Sequence, residues 1–121
     1  SVGEVLDKIT ILQIKLAYIS DAAKRANIKN ELDALLPLVA GDAFTTDQMQ
    51  ALMAELKSVN EALWDIEDDI REKEAAKSFD AEFIRLARAV YITNDKRAEI
   101  KKQINLATES ALVEEKSYES Y

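Results

Sequence analysis

The sequence predicts an all-α fold, an elongated antiparallel bundle of about four helices dominated by a long helical hairpin at about residues 46–77 and 81–110. Its 121 residues include only 2 Gly and 1 Pro, against 48% apolar and 32% charged residues, which leaves few turns. Apolar residues also recur in steps of three and four, the spacing of a helix that packs lengthwise against another. They are Met49, Leu52, Leu56, Val59, Leu63, Ile66 and Ile70. We expect a single helical domain over residues 1–121.

The first predicted helix runs from about Val2 to Ile19 and carries two apolar stripes. One stripe follows the three-four spacing, and the other lies beside it. The first comprises Val2, Val5, Ile9, Leu12, Leu16 and Ile19, and the second Ile11, Ile14 and Tyr18. A helix with two apolar stripes is expected to have neighbours on two sides.

Capping residues and a proline mark the second helix. Ser20 and Asp21 are good N-caps for a helix from about Ala22 to Leu36. Pro37 is expected to end or kink that helix. Residues 40–44 then form the main loop of the predicted fold.

The third predicted helix runs from about Thr46 to Lys77. Thr45 and Gln48 have the spacing of a capping box at its start. At a rise of 1.5 Å per residue, such a helix is about 48 Å long, which predicts an elongated molecule.

The fourth predicted helix, at about residues 81–110, is capped by Asp80 and folds back along the third. Charge favours this pairing. Residues 61–74 hold seven acidic and two basic side chains, whereas residues 85–102 hold six basic and two acidic ones. Residues 111–121 are predicted to be a partly ordered tail.

The residue types that are missing exclude several kinds of chemistry. Without Cys or His, the chain has no thiolate or His-zinc site and no Ser–His or Cys–His catalysis. Its net charge of −7 opposes binding to nucleic acid or to an anionic membrane surface. No apolar stretch approaches the ~18–20 residues of a membrane span, and no leader-like segment precedes the first helix. We expect a cytoplasmic protein that binds neither nucleic acid nor membrane and needs no cofactor.

A polar cluster interrupts the seam of the predicted hairpin. Along the fourth helix, the apolar stripe stops at Val90 and resumes at Ile100, with Thr93 and Arg97 between them. The hairpin places residues 63–69 opposite this interruption. The candidate residues of the cluster are Trp64, Asp65, Asp68, Asp69, Tyr91, Asn94 and Arg97.

Two interpretations of this cluster concern Arg97. A half-buried Arg needs a carboxylate partner, so Arg97 could form a structural ion pair that fixes the register of the helices. The candidate partners are Asp65, Asp68 and Asp69 of the third helix, or Glu4 and Asp7 if the first helix packs there. Alternatively, the donors and aromatic rings of the cluster form a site for a small anion or a sugar.

A third interpretation is a metal site. The candidate ligands are the i, i+3 carboxylate pairs Glu4/Asp7 and Asp65/Asp68, a geometry that holds Mg²⁺ or Mn²⁺ in helical bundles. These pairs resemble those of the all-α nucleotide pyrophosphatases of the MazG type. The dense Glu-x-x-Glu and Glu-x-x-Asp set of those enzymes is not reproduced.

Longer runs of sequence carry a second resemblance. They lie in residues 1–15, 55–71, 87–105 and 111–117, and include SVGEVLDKITIL, ELKSVNEALWDIEDDIR and ARAVYITNDKRA. These runs resemble a family of small helical proteins of unknown function from bacteria and phages. The resemblance implies a helical domain, in some members encoded beside surface-polysaccharide or glycosyltransferase genes, without established catalytic residues. It also implies that the family pattern includes Glu4, Asp7, Asn60, Trp64, Asp65, Asp68, Arg71, Tyr91, Asn94, Asp95 and Arg97.

These patterns favour a non-enzymatic helical module that self-associates or binds a protein partner along its exposed apolar stripes. The alternative function is that of a carboxylate-based metal-binding or small-anion-binding domain. One form of this alternative is a nucleotide or sugar-nucleotide hydrolase of the all-α pyrophosphatase type.

Overall fold

The structure describes residues 1–119, with side chains described for residues 1–109. This part of the chain contains four helices and two short 3₁₀ turns. In this computed structural model, the helices are α1 (Val2–Tyr18), α2 (Ala22–Leu35), α3 (Asp47–Ala75) and α4 (Ala81–Glu119). The 3₁₀ turns, Leu36–Val39 and Asp42–Phe44, connect α2 to α3. The main packing partners are α3 and α4, so the predicted all-α hairpin bundle is confirmed.

The end of α1 and the start of α2 are held together by polar contacts. The carboxylate of Asp21 accepts a hydrogen bond from the Lys24 N–H at 2.9 Å and caps α2, as predicted. Arg25 then donates to the carbonyl of Ile19 at 2.9 Å, at the end of α1. Pro37 lies in the first 3₁₀ turn and ends α2, also as predicted.

The predicted capping box of α3 is wrong by one residue. The N-cap is Thr46, whose hydroxyl accepts a hydrogen bond from the Met49 N–H at 3.1 Å. The Thr45 hydroxyl instead donates to the Asp42 carbonyl in the preceding 3₁₀ turn. Because Met49 occupies the third helical position, no Glu or Gln side chain can close a box there.

The turn of the hairpin satisfies the backbone on both sides. The Ser78 N–H donates to the Lys73 carbonyl at 2.9 Å, the Schellman pattern that ends α3, with Lys77 at φ 55°. Asp80 caps α4, as predicted, by accepting from the Phe83 N–H at 2.9 Å. The hydrogen bonds from Lys73 and from the Phe83 N–H lower the pKa of Asp80 to about 2.

The helix α4 continues to Glu119, nine residues beyond its predicted end at 110. Residues 81–119 contain neither Gly nor Pro, so no local signal ends the helix earlier. The side chains of residues 110–121 lie outside the described part of the structure. The prediction of partial order at residues 111–121 therefore stays a prediction.

The core lies where α1 and α2 pack on the open end of the hairpin. All four helices contribute to it, and α1 contacts each of the other three, which confirms the predicted neighbours on two sides of α1. The buried core residues are Leu6, Ile9, Leu12, Leu32, Met49, Leu52, Leu56, Ile100 and Ile104. With about 26 Å of α1 against about 44 Å of α3, the hairpin extends well beyond α1.

The opposite charges of α3 and α4 act at a distance rather than in close pairs. Apart from Lys73 and Asp80, the cap of α4, which lie 2.9 Å apart at the turn, no ion pair within 4 Å joins the two helices among the side chains described for residues 1–109. The pKa of Arg85 is nevertheless raised, first by its hydrogen bonds to Glu82 and in addition by the charge of Asp69 on α3. Charge complementarity therefore favours the hairpin without fixing its register.

Candidate functional site

A buried polar cluster joins α1, α3 and α4. Asp7 of α1 is only 4% exposed, and the half-buried Arg97 of α4 binds both of its carboxylate oxygens through two guanidinium nitrogens. Arg97 Nε donates to Asp7 Oδ1 at 2.8 Å, and Arg97 Nη2 donates to Oδ2. Asn60 Nδ2 of α3 donates to Asp7 Oδ1 at 2.9 Å and to Thr10 Oγ1 at 2.8 Å. Each buried polar group here therefore has a partner, as the interior of a protein requires.

The helical spacing of α1 and α3 places Thr10 and Asn60 inside the bundle. Asn60 stands four residues after the buried Leu56 and three before the buried Leu63, and Thr10 stands four before the buried Ile14. Sequence reasoning did not include either residue among the site candidates. The available signal was a polar residue at a core position of an apolar stripe.

The charges around Asp7 keep it ionised. Burial raises the pKa of Asp7, but the hydrogen bonds from Arg97 and Asn60, with the charges of Arg97 and Lys101, outweigh burial and hold it below 3.8. The hydrogen bonds to Asp7 raise the pKa of Arg97 in turn. Lys101 Nζ lies 2.7 Å from Glu4 Oε1 and 3.9 Å from Asp7 Oδ2.

Beside this cluster, a cleft of about 500 Å³ opens between α1, α3 and α4. Its walls combine cations, amides, carboxylates and apolar side chains. The cations are Lys15, Arg71 and Arg97, and the amides are Asn60 and Asn94. The carboxylates are Glu67 and Asp68, and the apolar side chains are Ile11, Leu63 and Trp64.

The structure brings together four of the seven predicted cluster residues. Trp64, Asp68, Asn94 and Arg97 line the cleft, whereas Asp65, Asp69 and Tyr91 do not. Tyr91 is 71% exposed on the outer side of α4, and Asp69 lines a groove near the turn of the hairpin. Arg97 pairs with Asp7, one of the two candidate partners on the first helix, and not with a candidate acid of α3.

The four predicted metal ligands do not come together as one group. Asp7 is held by Arg97 and Asn60, Glu4 is paired with Lys101, and Asp65 is exposed. Over the described residues, no group of three or more Asp, Glu, His or Cys side chains could hold a metal ion.

Three charged residues of the cleft were not among the predicted site candidates: Lys15, Glu67 and Arg71. Lys15 lies one helical turn after Ile11 on α1, and Glu67 and Arg71 follow Trp64 at steps of three and four on α3. The α3 residues could have been found by extending the face of Trp64 along the helix. Lys15 could not have been identified from the sequence, because its place in the cleft depends on how α1 packs against α3 and α4.

The cations of the cleft differ in how firmly they are held. Arg71 lies 3.8 Å from Glu67 in an exposed pair, a type that contributes only about 0–1 kcal/mol. Lys15 has no ion-pair partner within 4 Å among the described side chains. Arg97 is committed to Asp7 through Nε and Nη2, but a guanidinium carries five N–H donors, so Nη1 stays available apart from a 3.4 Å contact with Asn94. The Trp64 ring stacks on Tyr18 with centroids 5.4 Å apart.

This arrangement places three cations, two carboxylates, two amide groups and an aromatic ring around one space. In a comparison with protein families, a family described as of unknown function (DUF6165) matches residues 1–121. No curated protein and no solved structure matches the chain.

Proposed function

The chain belongs over residues 1–121 to this family of unknown function, and we propose that its cleft binds a small organic anion. A nucleotide or a sugar phosphate is an anion of this kind. One observation carries the proposal. Three helices direct Lys15, Arg71 and Arg97 to a single cleft in a chain whose net charge is −7.

The three cations suit a phosphoryl group. Guanidinium forks bind phosphate oxygens in pairs, and a lysine ammonium adds a compact charge. Arg71 can leave its weak contact with Glu67 at small cost, and Lys15 has no competing ion pair among the described side chains. Arg97 contributes through Nη1 while Asp7 holds its other arm in place.

The remaining walls favour a ligand that also has a ring. A volume of about 500 Å³ lies within the range of small-molecule sites, which are mostly apolar with a few polar groups. Trp64, Ile11 and Leu63 supply the apolar surface. The amide nitrogen of Asn60 donates its two hydrogens to Asp7 and Thr10. The amide oxygen of Asn60 is therefore left as an acceptor for a ligand.

We propose binding and not hydrolysis. Of the four predicted metal ligands, only Asp68 lines the cleft, and Asp7 is already neutralised by Arg97. A metal-dependent hydrolase needs several carboxylates around one ion.

A second function, association with another protein, is favoured by a different observation. The outer face of α4 exposes Ile84, Tyr91, Ile92 and Leu106, each at about half or more of its surface. None of these side chains lines the cleft, so both functions are compatible.

None of the helices within residues 1–119 has the length and apolarity needed to cross a bilayer. The cytoplasmic location stays a prediction.

The single tryptophan of the chain tests the first function directly, because Trp64 lies in the wall of the cleft. We would titrate the purified chain with inorganic phosphate, a nucleoside monophosphate and a nucleotide sugar, and follow Trp64 emission and the heat of binding. The expected result is a saturable change with at least one of the two organic anions.

Matched variants separate cleft binding from general charge attraction. Lys15→Gln and Arg71→Gln should each weaken binding about tenfold, which corresponds to about 1.4 kcal/mol. Lys57→Gln removes an exposed charge of α3 outside the cleft and should leave affinity unchanged. No saturable change with any of the three compounds, or equal binding by Lys15→Gln and Lys57→Gln, would overturn the proposal.

A further inference from the structure

The outer face of α4 carries large apolar side chains that the rest of the bundle does not cover. At 100° per residue, Ile84, Tyr91, Ile92 and Leu106 fall within an arc of about 100° on the helix. This arc lies opposite the side on which α4 buries Leu86 and its other core residues. The four side chains are between 48% and 71% exposed. Four exposed charged side chains, those of Arg88, Asp95, Glu99 and Lys102, lie between them in the same arc.

The charges on this face restrict what can cover it. Arg88 and Asp95 lie within the same arc, are exposed, and have no ion-pair partner within 4 Å among the described side chains. If two copies of α4 packed side by side in parallel, Arg88 would face Arg88 and Asp95 would face Asp95. Like charges placed directly opposite each other are destabilising.

An antiparallel pair of α4 helices reverses this relationship. Arg88 and Asp95 are equally distant from the midpoint between Tyr91 and Ile92. A two-fold axis through that midpoint therefore brings Arg88 of each copy opposite Asp95 of the other, and Tyr91 opposite Ile92. The part of the face around the axis, from Arg88 to Asp95, therefore matches itself in both charge and hydrophobicity.

We propose that this face binds a second copy of the chain, with the two α4 helices antiparallel about a two-fold axis between Tyr91 and Ile92. This inference rests on the second function proposed above, association through α4. Tyr91 and Ile92 form the apolar centre of the interface, and the two Arg88–Asp95 pairs on either side set its register. In this register, Leu106 lies level with the hairpin turn of the other copy, where Phe79 is 56% exposed.

Cysteine crosslinking tests the orientation, because the chain has no Cys of its own. In the antiparallel pair, residue 92 is offset by only about 1.5 Å along the helix axis from residue 92 of the other copy. Residue 84 is then separated from its counterpart by about 22 Å along the helix, far beyond the Cα distance of about 7 Å that a disulfide spans. Ile92→Cys should therefore form a covalent dimer on oxidation and Ile84→Cys should not. Efficient crosslinking of Ile84→Cys, as a parallel pair requires, would overturn the proposal.

Charge reversal tests the register. We would measure the dimer dissociation constant by sedimentation equilibrium and check helical content by circular dichroism. Arg88→Glu and Asp95→Arg should each weaken dimerisation about tenfold or more, and the double variant Arg88→Glu/Asp95→Arg should restore it. Lys57→Glu, an exposed reversal on α3, is the matched control and should have little effect.

Two results of this experiment would overturn the inference. One is a monomer at all concentrations, and the other is a dimer that neither reversal weakens. Because the variants lie outside the cleft, neither result bears on ligand binding measured through Trp64, and the two proposals can fail independently.

Discussion

Arg97 and Asp7 are 90 residues apart in the sequence and are joined by two parallel hydrogen bonds in the structure. Arg97 Nε lies 2.8 Å from Asp7 Oδ1, and Nη2 binds Oδ2. A forked contact of this kind is directional. It therefore fixes how α1 is rotated against the hairpin, and with it the positions of Ile11 and Lys15 in the wall of the cleft.

Replacement of Asp7 by Asn should lower the free energy of unfolding by about 2–3 kcal/mol. Loss of one partner from a buried ion pair leaves the other charge uncompensated, which typically costs about 3–5 kcal/mol. The expected cost is lower here because the Arg97 side chain is 28% exposed and reaches water. Urea denaturation followed by circular dichroism measures it.

The control for this change is Asp65→Asn on α3, an exposed position where an effect within about 0.5 kcal/mol is expected. Arg97→Leu should cost at least as much as Asp7→Asn, because a buried carboxylate then loses its main partner. Equal stability of Asp7→Asn and Asp65→Asn would show that the pair does not hold the bundle.

The stability of the protein should fall in acid, in part through Asp7. The pKa of Asp7 is below 3.8 in the folded state, so the unfolded chain takes up a proton more readily as the pH falls. The contribution of Asp7 is complete above its unfolded pKa and is lost as the pH falls through its folded pKa. Asp80, with a pKa of about 2, acts in the same direction.

Urea denaturation at a series of pH values checks this dependence. Wild type should lose stability more steeply than Asp7→Asn below about pH 4, and the difference between them should shrink as the pH falls. A constant difference across the acid range would contradict a depressed pKa for Asp7.

The helices were predictable because their signals are local. The three-four spacing of apolar residues, the scarcity of Gly and Pro, and the caps Asp21 and Asp80 each act within a few residues. The start of α3 was misplaced because Thr45 and Thr46 are both good caps, and the preceding 3₁₀ turn decides between them by engaging Thr45.

The site was only partly predictable because it depends on docking between helices. Five acids were candidate partners for Arg97, and only the position of α1 selects Asp7. Tyr91 lies three residues before Asn94 in the sequence, yet it faces outward because α4 buries a different side. Spacing along one helix does not reveal how far a neighbouring helix is rotated.

The cap of α3 gives a matched pair of neighbouring substitutions. Thr46→Ala should lower the free energy of unfolding by about 1 kcal/mol, because the Met49 N–H loses its acceptor. Thr45→Ala removes only an exposed hydrogen bond to the Asp42 carbonyl and should have a smaller effect. Thermal denaturation of the two variants tests the assignment, and a larger loss in Thr45→Ala would reverse it.

Lys77 is a site where glycine should increase stability. Its φ of 55° lies in the left-handed region, which favours Gly and costs other residues about 1–2 kcal/mol. Lys77→Gly should therefore raise the free energy of unfolding by about 0.5–1 kcal/mol, measured by urea denaturation. Lys57→Gly, the same change in the interior of α3, should lower it by about 1 kcal/mol. Destabilisation by both variants would mean that the turn does not strain Lys77.

Gly3 allows α1 and α4 to approach closely. Its N–H donates to Asn105 Oδ1 at 2.7 Å, and a Cβ at this position would lie 2.8 Å from the Lys101 carbonyl oxygen and 3.0 Å from Asn105 Oδ1. The Lys101 oxygen belongs to the backbone of α4 and cannot move without shifting the helix. An added methyl group is therefore expected to push α1 away from α4.

Gly3→Ala should lower the free energy of unfolding by about 1–3 kcal/mol, as overpacking does in tightly packed interiors. The sign is informative, because Gly→Ala at an unconstrained helical position stabilises by about 1 kcal/mol. Asn105→Ala, which removes the hydrogen bond without adding a clash, is the control and should cost about 1 kcal/mol. Thermal denaturation measures both variants. A rise in stability for Gly3→Ala would mean that α1 and α4 lie farther apart than the structure places them, and the Asp7–Arg97 contact in the next turn would be in doubt for the same reason.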